Sequence, residues 1–264
     1  MNTQLMTKFQ NQMETFEKKI LNDLLAQHQL SPSKFKQIVI TEVKKNAKMQ
    51  EAFSLNPQSL FASIIHCAEL GLSPSENLGE FFFIPYKGVV KPIIGYKGIV
   101  ALLTRNFGVK SIMAECVYEG DEFDYELGLE PKLIHKPLDP IKNSHTLTQV
   151  YVVVKTRDNE KVFKVMSKAE LMATIALQKQ PNDLYFNDKS DPNMWMLKKM
   201  VLKQLAKLLP KDYLGSKAIS IDDQLEAGGH LTLDENDKVV VINEKPTSKK
   251  NELYANLSNL PEIE

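Results

Sequence analysis

The chain has 264 residues, 43% of them hydrophobic, and its 33 basic side chains are matched by 33 acidic ones. That apolar content is enough for the core of one large domain or two small ones, while no stretch approaches the roughly 18 consecutive apolar residues of a membrane span and the N-terminus lacks an apolar signal core, so a cytoplasmic protein without a membrane partner is expected. Only two cysteines occur, Cys67 and Cys116, in no Cys-x-x-Cys pair, which excludes a disulfide framework and a thiolate metal site.

Residues 5–28 place Leu5, Met6, Phe9, Met13, Phe16, Ile20, Leu21, Leu24 and Leu25 at intervals of three and four, which predicts an amphipathic helix. Ser31-Pro32 opens a second helix running toward Met49, and Asn56-Pro57 a third that stops at Gly71. The texture then turns to strands: Glu80 to Tyr86 and Val89 to Ile94 form a hairpin across Lys87-Gly88. A helix after Gly95 carries Ile99, Leu102 and Leu103, followed by strands at 109–118, 147–155 and 161–166. Ser167 and Glu170 make a capping box for another helix, and Asp191-Pro192 precedes a last strong helix from Trp195 to Leu209, ended by Pro210. Beyond Tyr213 the composition shifts to Asp, Asn, Lys, Ser and Gly, which reads as a flexible linker with a small docking element at 253–260. The order predicts an α+β fold: N-terminal helices over 1–55, a core over 56–211 with a small antiparallel sheet and a hairpin packed on several helices, and a flexible acidic tail over 212–264.

Charge is not evenly spread along this order. From Asp212 onward there are 11 acidic and 5 basic residues, leaving 28 basic and 22 acidic before it. A basic body with an acidic appendage is the asymmetry of a nucleic-acid binder. Phe81 to Ala114 contains no acid and interleaves Lys87, Lys91, Lys97, Arg105 and Lys110 with Phe81, Phe82, Phe83, Tyr86, Tyr96 and Phe107. A single strand needs cations for its phosphates and flat apolar surfaces for its bases; the competing reading makes these phenylalanines core and the lysines a solvated face. Trp195 to Lys211 is again free of acid, with Lys198 and, at helical spacing, Lys199, Lys203 and Lys207 on one face. Such a stack of like charges suggests a phosphate track, or an ordinary solvated face.

Signals for an enzyme are few. No phosphate-binding Gly-x-x-x-x-Gly-Lys loop occurs, and the five histidines show no metal-ligand spacing. Glu119, Asp121, Glu122 and Asp124 are the one acidic cluster suited to magnesium-assisted phosphodiester cleavage, or they are a solvated turn at Gly120.

The run from Asn56 to Pro74, then Phe83-Ile-Pro85, Ile94 to Gly98, Val117 to Asp121 with Phe123, Ile134 to Pro137, Met166-Ser167 and the helix from Trp195 to Pro210 together resemble the RecT family of phage annealing proteins, related to the Redβ type. The resemblance covers residues 56–211. It implies a protein, not an enzyme, that binds single-stranded DNA as a homo-oligomeric ring or helical filament. It further implies that complementary strands are annealed, through a duplex intermediate, without ATP and without a cofactor beyond assistance from magnesium. It points to Lys87, Lys91, Tyr96, Lys97, Arg105, Lys198, Lys199, Lys203 and Lys207 as DNA contacts, with Phe82 and Tyr86 as stacking residues and Gly95 and Gly98 admitting a phosphate to the backbone. The N-terminal helices are then assigned to subunit packing or groove closure. The acidic tail is assigned to docking a phage exonuclease or the host single-strand-binding protein in a bacterial cytoplasm, or to competing with DNA for the basic groove. A metal-dependent nuclease and a generic single-strand-binding protein are the alternatives.

Overall fold

The computed structural model describes residues 3–106, 108–138, 142–178, 185–209 and 213–242. Helix α1 (Thr3–Phe16) continues through a π-helical turn (Glu17–Leu21) into α2 (Asn22–Gln27), so the expected single amphipathic helix forms with its stripe reset by the wider turn. Met6, Phe9, Met13, Leu21 and Leu25 are all buried by it. The second expected helix divides at Asn46: α3 (Pro32–Lys45) starts on the Ser31 cap, and α4 (Ala47–Leu55) starts where extended Asn46 accepts the Met49 amide at 3.2 Å.

The centre of the molecule is α5 (Pro57–Glu69), buried without interruption from Ser59 to Ala68. A helix apolar on every side must be covered on every side. α2, α4 and the Phe9 and Phe16 rings of α1 cover one side, and two hairpins cover the other. Asn56 caps α5 through the Ser59 amide, and Gly71 ends it at φ +59°, where a Cβ would lie 2.3 Å from the His28 ring.

The first hairpin joins β1 (Phe81–Tyr86) to β2 (Val89–Ile94) through Lys87 and Gly88, both at positive φ, as a two-residue turn of the right twist requires. Helix α6 (Tyr96–Asn106) follows directly. A three-stranded antiparallel sheet is ordered β3 (Val109–Tyr118), β6 (Leu147–Thr156), β7 (Lys161–Ser167). Val150, Val152 and Val154 turn its inner face onto α8 (Trp195–Ala206). Between β3 and β6 the chain makes a second hairpin, β4 (Glu122–Glu126) with β5 (Lys132–Lys136), where the sequence reading saw a turn. Helix α7 (Lys168–Ala176) opens on the expected capping box of Ser167 and Glu170. Both cysteines are buried and free.

The sequence reading needs correction at its C-terminal boundary. Residues taken as flexible from 212 onward form α9 (Tyr213–Glu226) and the hairpin β8 (His230–Leu233) with β9 (Val239–Ile242). Ala218 and Ile219 enter the main core, and Leu231 packs with Ala62 of α5. The docking element expected at 253–260 lies outside the described residues. The α+β class, with N-terminal helices and small antiparallel sheets, is as expected.

Candidate nucleic-acid interface

Strand alternation divides the triple phenylalanine run. Phe81 and Phe83 point into the core, and Phe82 points outward with Ile84 and Tyr86. Opposite them, Lys91 pairs with Ile84 and Ile93 with Phe82, so the outer face of the first hairpin is aromatic, aliphatic and cationic. The ammonium groups of Lys87 and Lys91 lie 5.3 and 5.1 Å from the Tyr86 ring centre, within the range of cation–π attraction.

This face forms one wall of a groove of about 330 Å³ lined by Phe82, Ile84, Ile93, Tyr96, Lys97 and Trp195. Tyr96 and Trp195 sit 5.0 Å apart at 44°, and Trp195 remains 43% exposed. Lys198, one helical turn on, holds its Nζ 5.0 Å from the Trp195 ring and 3.7 Å from Glu115 Oε2. Trp195 is aimed by what precedes it: buried Met194 is left-handed at φ +54°, and the Asp191 carboxylate accepts the Met196 amide at 2.8 Å. A left-handed non-glycine residue costs free energy, and here it turns the indole toward the groove instead of the core. Sequence reading placed Trp195 only as the start of a helix; its being the one tryptophan at the head of an acid-free helix was the available signal.

The remaining expected contacts fall elsewhere. Gly95 and Gly98 admit backbone, not phosphate: a Cβ on either would lie 2.1 Å from the carbonyl oxygen of Gly79 or Glu80. They let the segment before β1 lie against the start of α6, joined by the Gly95 amide donating to Glu80 O at 2.9 Å. Arg105 donates through Nη1 to Gly71 O at 3.0 Å and through Nη2 to Leu70 O at 2.7 Å, so its guanidinium satisfies the open carbonyls at the end of α5.

Lys199 and Lys203 are buried, at 3% and 4% exposure. They face α9 instead of solvent. Lys203 Nζ lies 2.6 Å from Asp222, 3.0 Å from Asp223 and 2.9 Å from Glu226; Lys199 Nζ lies 3.4 Å from Asp222; Lys207 Nζ lies 2.9 Å from Asp223. Three lysines at four-residue spacing along α8 and its C-cap thus meet three carboxylates on α9. The repulsion that suggested a phosphate track is relieved within the chain. Lys198 is buried as well, at 9% exposure, but on the Trp195 side of the helix, where it faces Glu115.

The acidic cluster is likewise structural. Asp121 accepts the amides of Tyr118 and Leu138 at 2.9 Å each and the His135 ring at 3.1 Å, and His135 reaches Tyr151 with its other nitrogen at 3.2 Å. Burial works to raise the Asp121 carboxyl, but these bonds together hold it below the usual range. Glu122 pairs with Lys136 at 2.7 Å. Among the described residues no group of three or more His, Cys, Asp or Glu side chains is arranged to hold a metal. No helix among them is long and apolar enough to cross a membrane.

Comparison with known proteins identifies the family. The sequence profile of the RecT family matches residues 33–241, which reaches past α8 to include α9 and the last hairpin. Protein RecT of Escherichia coli (strain K12) is 31% identical over 215 residues, covering 78% of this chain and 76% of that protein. A match of this extent, over the whole described fold after its first helices, shows that the chain belongs to the RecT family.

Proposed function

We propose that this protein binds single-stranded DNA in the groove between the first hairpin and Trp195, and that it pairs complementary strands without hydrolysing a nucleotide. One observation carries the reading: Phe82, Tyr96 and Trp195 line one groove together with Lys97, and Lys87 and Lys91 stand on the hairpin that forms its wall. Stacking on such rings is worth about 1 to 3 kcal/mol per base and is blind to sequence. The lysines neutralise phosphates, which lowers the repulsion between two strands brought together. Base pairing then supplies the free energy and the specificity, so no fuel is required of the protein. Acting on long strands, it coats them as a homo-oligomer, and the duplex is the product. Because the carboxylates of α9 are engaged by lysines, the acidic residues beyond α9 are the part of the segment that recruits an exonuclease or a host single-strand-binding protein.

The test pairs two measurements. Trp195→Ala, and separately Lys97→Ala, should weaken binding of a short fluorescent single strand by about tenfold, a loss of about 1.4 kcal/mol. Wild-type protein should accelerate annealing of complementary oligonucleotides in the absence of nucleotide. Unchanged affinity in folded Trp195→Ala would remove the groove as the site, and shortening of labelled DNA in magnesium would replace annealing with cleavage.

A further inference from the structure

The register of the three-stranded sheet sets its outer face, the one turned away from α8, in rows. Ser111, Lys155 and Lys161 stand in one row, Met113, Val153 and Phe163 in the next, and Glu115, Tyr151 and Val165 in the third. The β4–β5 hairpin covers the third row, where Phe123 stacks on Tyr151 at 5.5 Å and 27°. It reaches the second row only at its margin, where Tyr125 meets Phe163 edge-on at 6.3 Å. The first two rows are left open. Met113 is 49% exposed and Tyr125 39%, and Phe163 and Val153 are only half-buried.

Packing alone does not account for this open half. Lys155 and Lys161 are directly opposite each other across two strands, and like charges so placed destabilise a sheet. Neither makes an ion pair with a carboxylate among the described residues, in contrast to Lys132 and Lys136 on the neighbouring hairpin. An uncompensated cationic row beside an apolar row with aromatic edges has the two parts that a strand with unpaired bases fits: phosphates at the lysines, and base faces on Phe163, Tyr125 and Met113. A duplex hides its base faces and would meet only the cations. One row further along β3, the sheet edge meets the side of α8 that carries Trp195. Glu115, in the third row, lies 3.7 Å from Lys198, whose ammonium stands over Trp195.

We propose that the open half of this sheet face is a second binding site, for one unpaired nucleic-acid strand, separate from the groove at Trp195. The inference rests on the groove reading in one respect: a protein that joins two strands gains by holding the second near the first. The sheet face captures the incoming strand loosely, and the β3 edge brings it alongside the strand in the groove.

The experiment uses the full chain saturated with one unlabelled single strand, to which a labelled, non-complementary strand is added. Wild-type protein should bind the second strand. Lys155→Gln/Lys161→Gln should lose at least tenfold of that affinity and slow annealing by a similar factor. Its binding of the first strand should be unchanged, and its melting temperature unchanged or raised, since two facing charges are gone. Met113→Glu, at an exposed position, should reproduce the loss. Second-strand binding at wild-type strength in both variants would overturn the proposal, as would wild-type protein that binds a first strand and no second. Failure to bind any strand would overturn the groove reading along with it.

Discussion

Asp222 lies between two ammonium groups, and all three side chains are at most 5% exposed. Burial alone would raise its carboxyl, but Lys199 and Lys203 hold it below the usual aspartate range. Glu226 goes the other way, raised by burial and by its neighbour Asp222. A depressed carboxyl contributes stability above its unfolded-state value that is lost as the pH falls through the folded value. Acidification should therefore first protonate Glu226, which relieves its repulsion with Asp222, and only at distinctly lower pH dissolve the Asp222 pairs. Asp222→Asn leaves two buried lysines short of a partner and should cost about 3 to 5 kcal/mol in urea denaturation at neutral pH. It should also flatten the fall in stability below pH 4. At this scale the sequence showed the lysines and their four-residue spacing, yet not their purpose. Spacing places charges on one face of a helix, but what that face meets depends on a helix further along the sequence. Gly95 and Gly98 misled for the same reason, since absence of a Cβ signals close approach without naming what approaches.

Helix α9 is where the local reading and the fold part company. It lacks a strong stripe and opens a segment rich in Asp, Asn, Lys, Ser and Gly, so composition argued for a linker; its stability comes from Ala218 and Ile219 in the core and from the lysines that meet its carboxylates. Tertiary partners, not propensity, make it a helix. Ending the chain after Lys211 should accordingly give a protein that expresses poorly or melts without a cooperative transition. A chain ended after Ile242 should melt like the full-length one. Circular dichroism on the two truncations checks this, and cooperative unfolding of the shorter chain would show that α9 is dispensable. Elements with local signals were readable: the Ser31, Asn56 and Ser167 caps, the Lys87-Gly88 turn and the strand alternation of Phe82 all stand where the sequence puts them. The β4–β5 hairpin was not, because its outer face of Glu122, Asp124 and Glu126 against Lys132 and Lys136 looks like solvated turn until the strands are paired.

Over the whole molecule, the balance of 33 basic and 33 acidic residues hides an internal settlement. Three lysines of the expected DNA track face α9, Lys198 faces Glu115 and Arg105 the end of α5, so Lys87, Lys91 and Lys97 remain at the groove and its hairpin wall. Three phosphate contacts give a salt slope of roughly −2 for a single strand, and seven would give roughly −5. A titration of affinity against salt on an oligonucleotide just long enough for one subunit distinguishes these directly. A slope near the larger value would mean that the buried stripe opens to DNA after all. The aromatic share of the binding, by contrast, should survive high salt. One feature of the groove makes its occupancy directly observable. The chain has a single tryptophan, and it stands at the groove's wall, exposed to water and with an ammonium above its ring. Near-ultraviolet emission excited on the indole edge therefore comes from this one spot and nowhere else in the protein. The arrival of a base on the ring should register as quenching, in unlabelled protein and in real time, whether the subunit is alone or one of many along a strand.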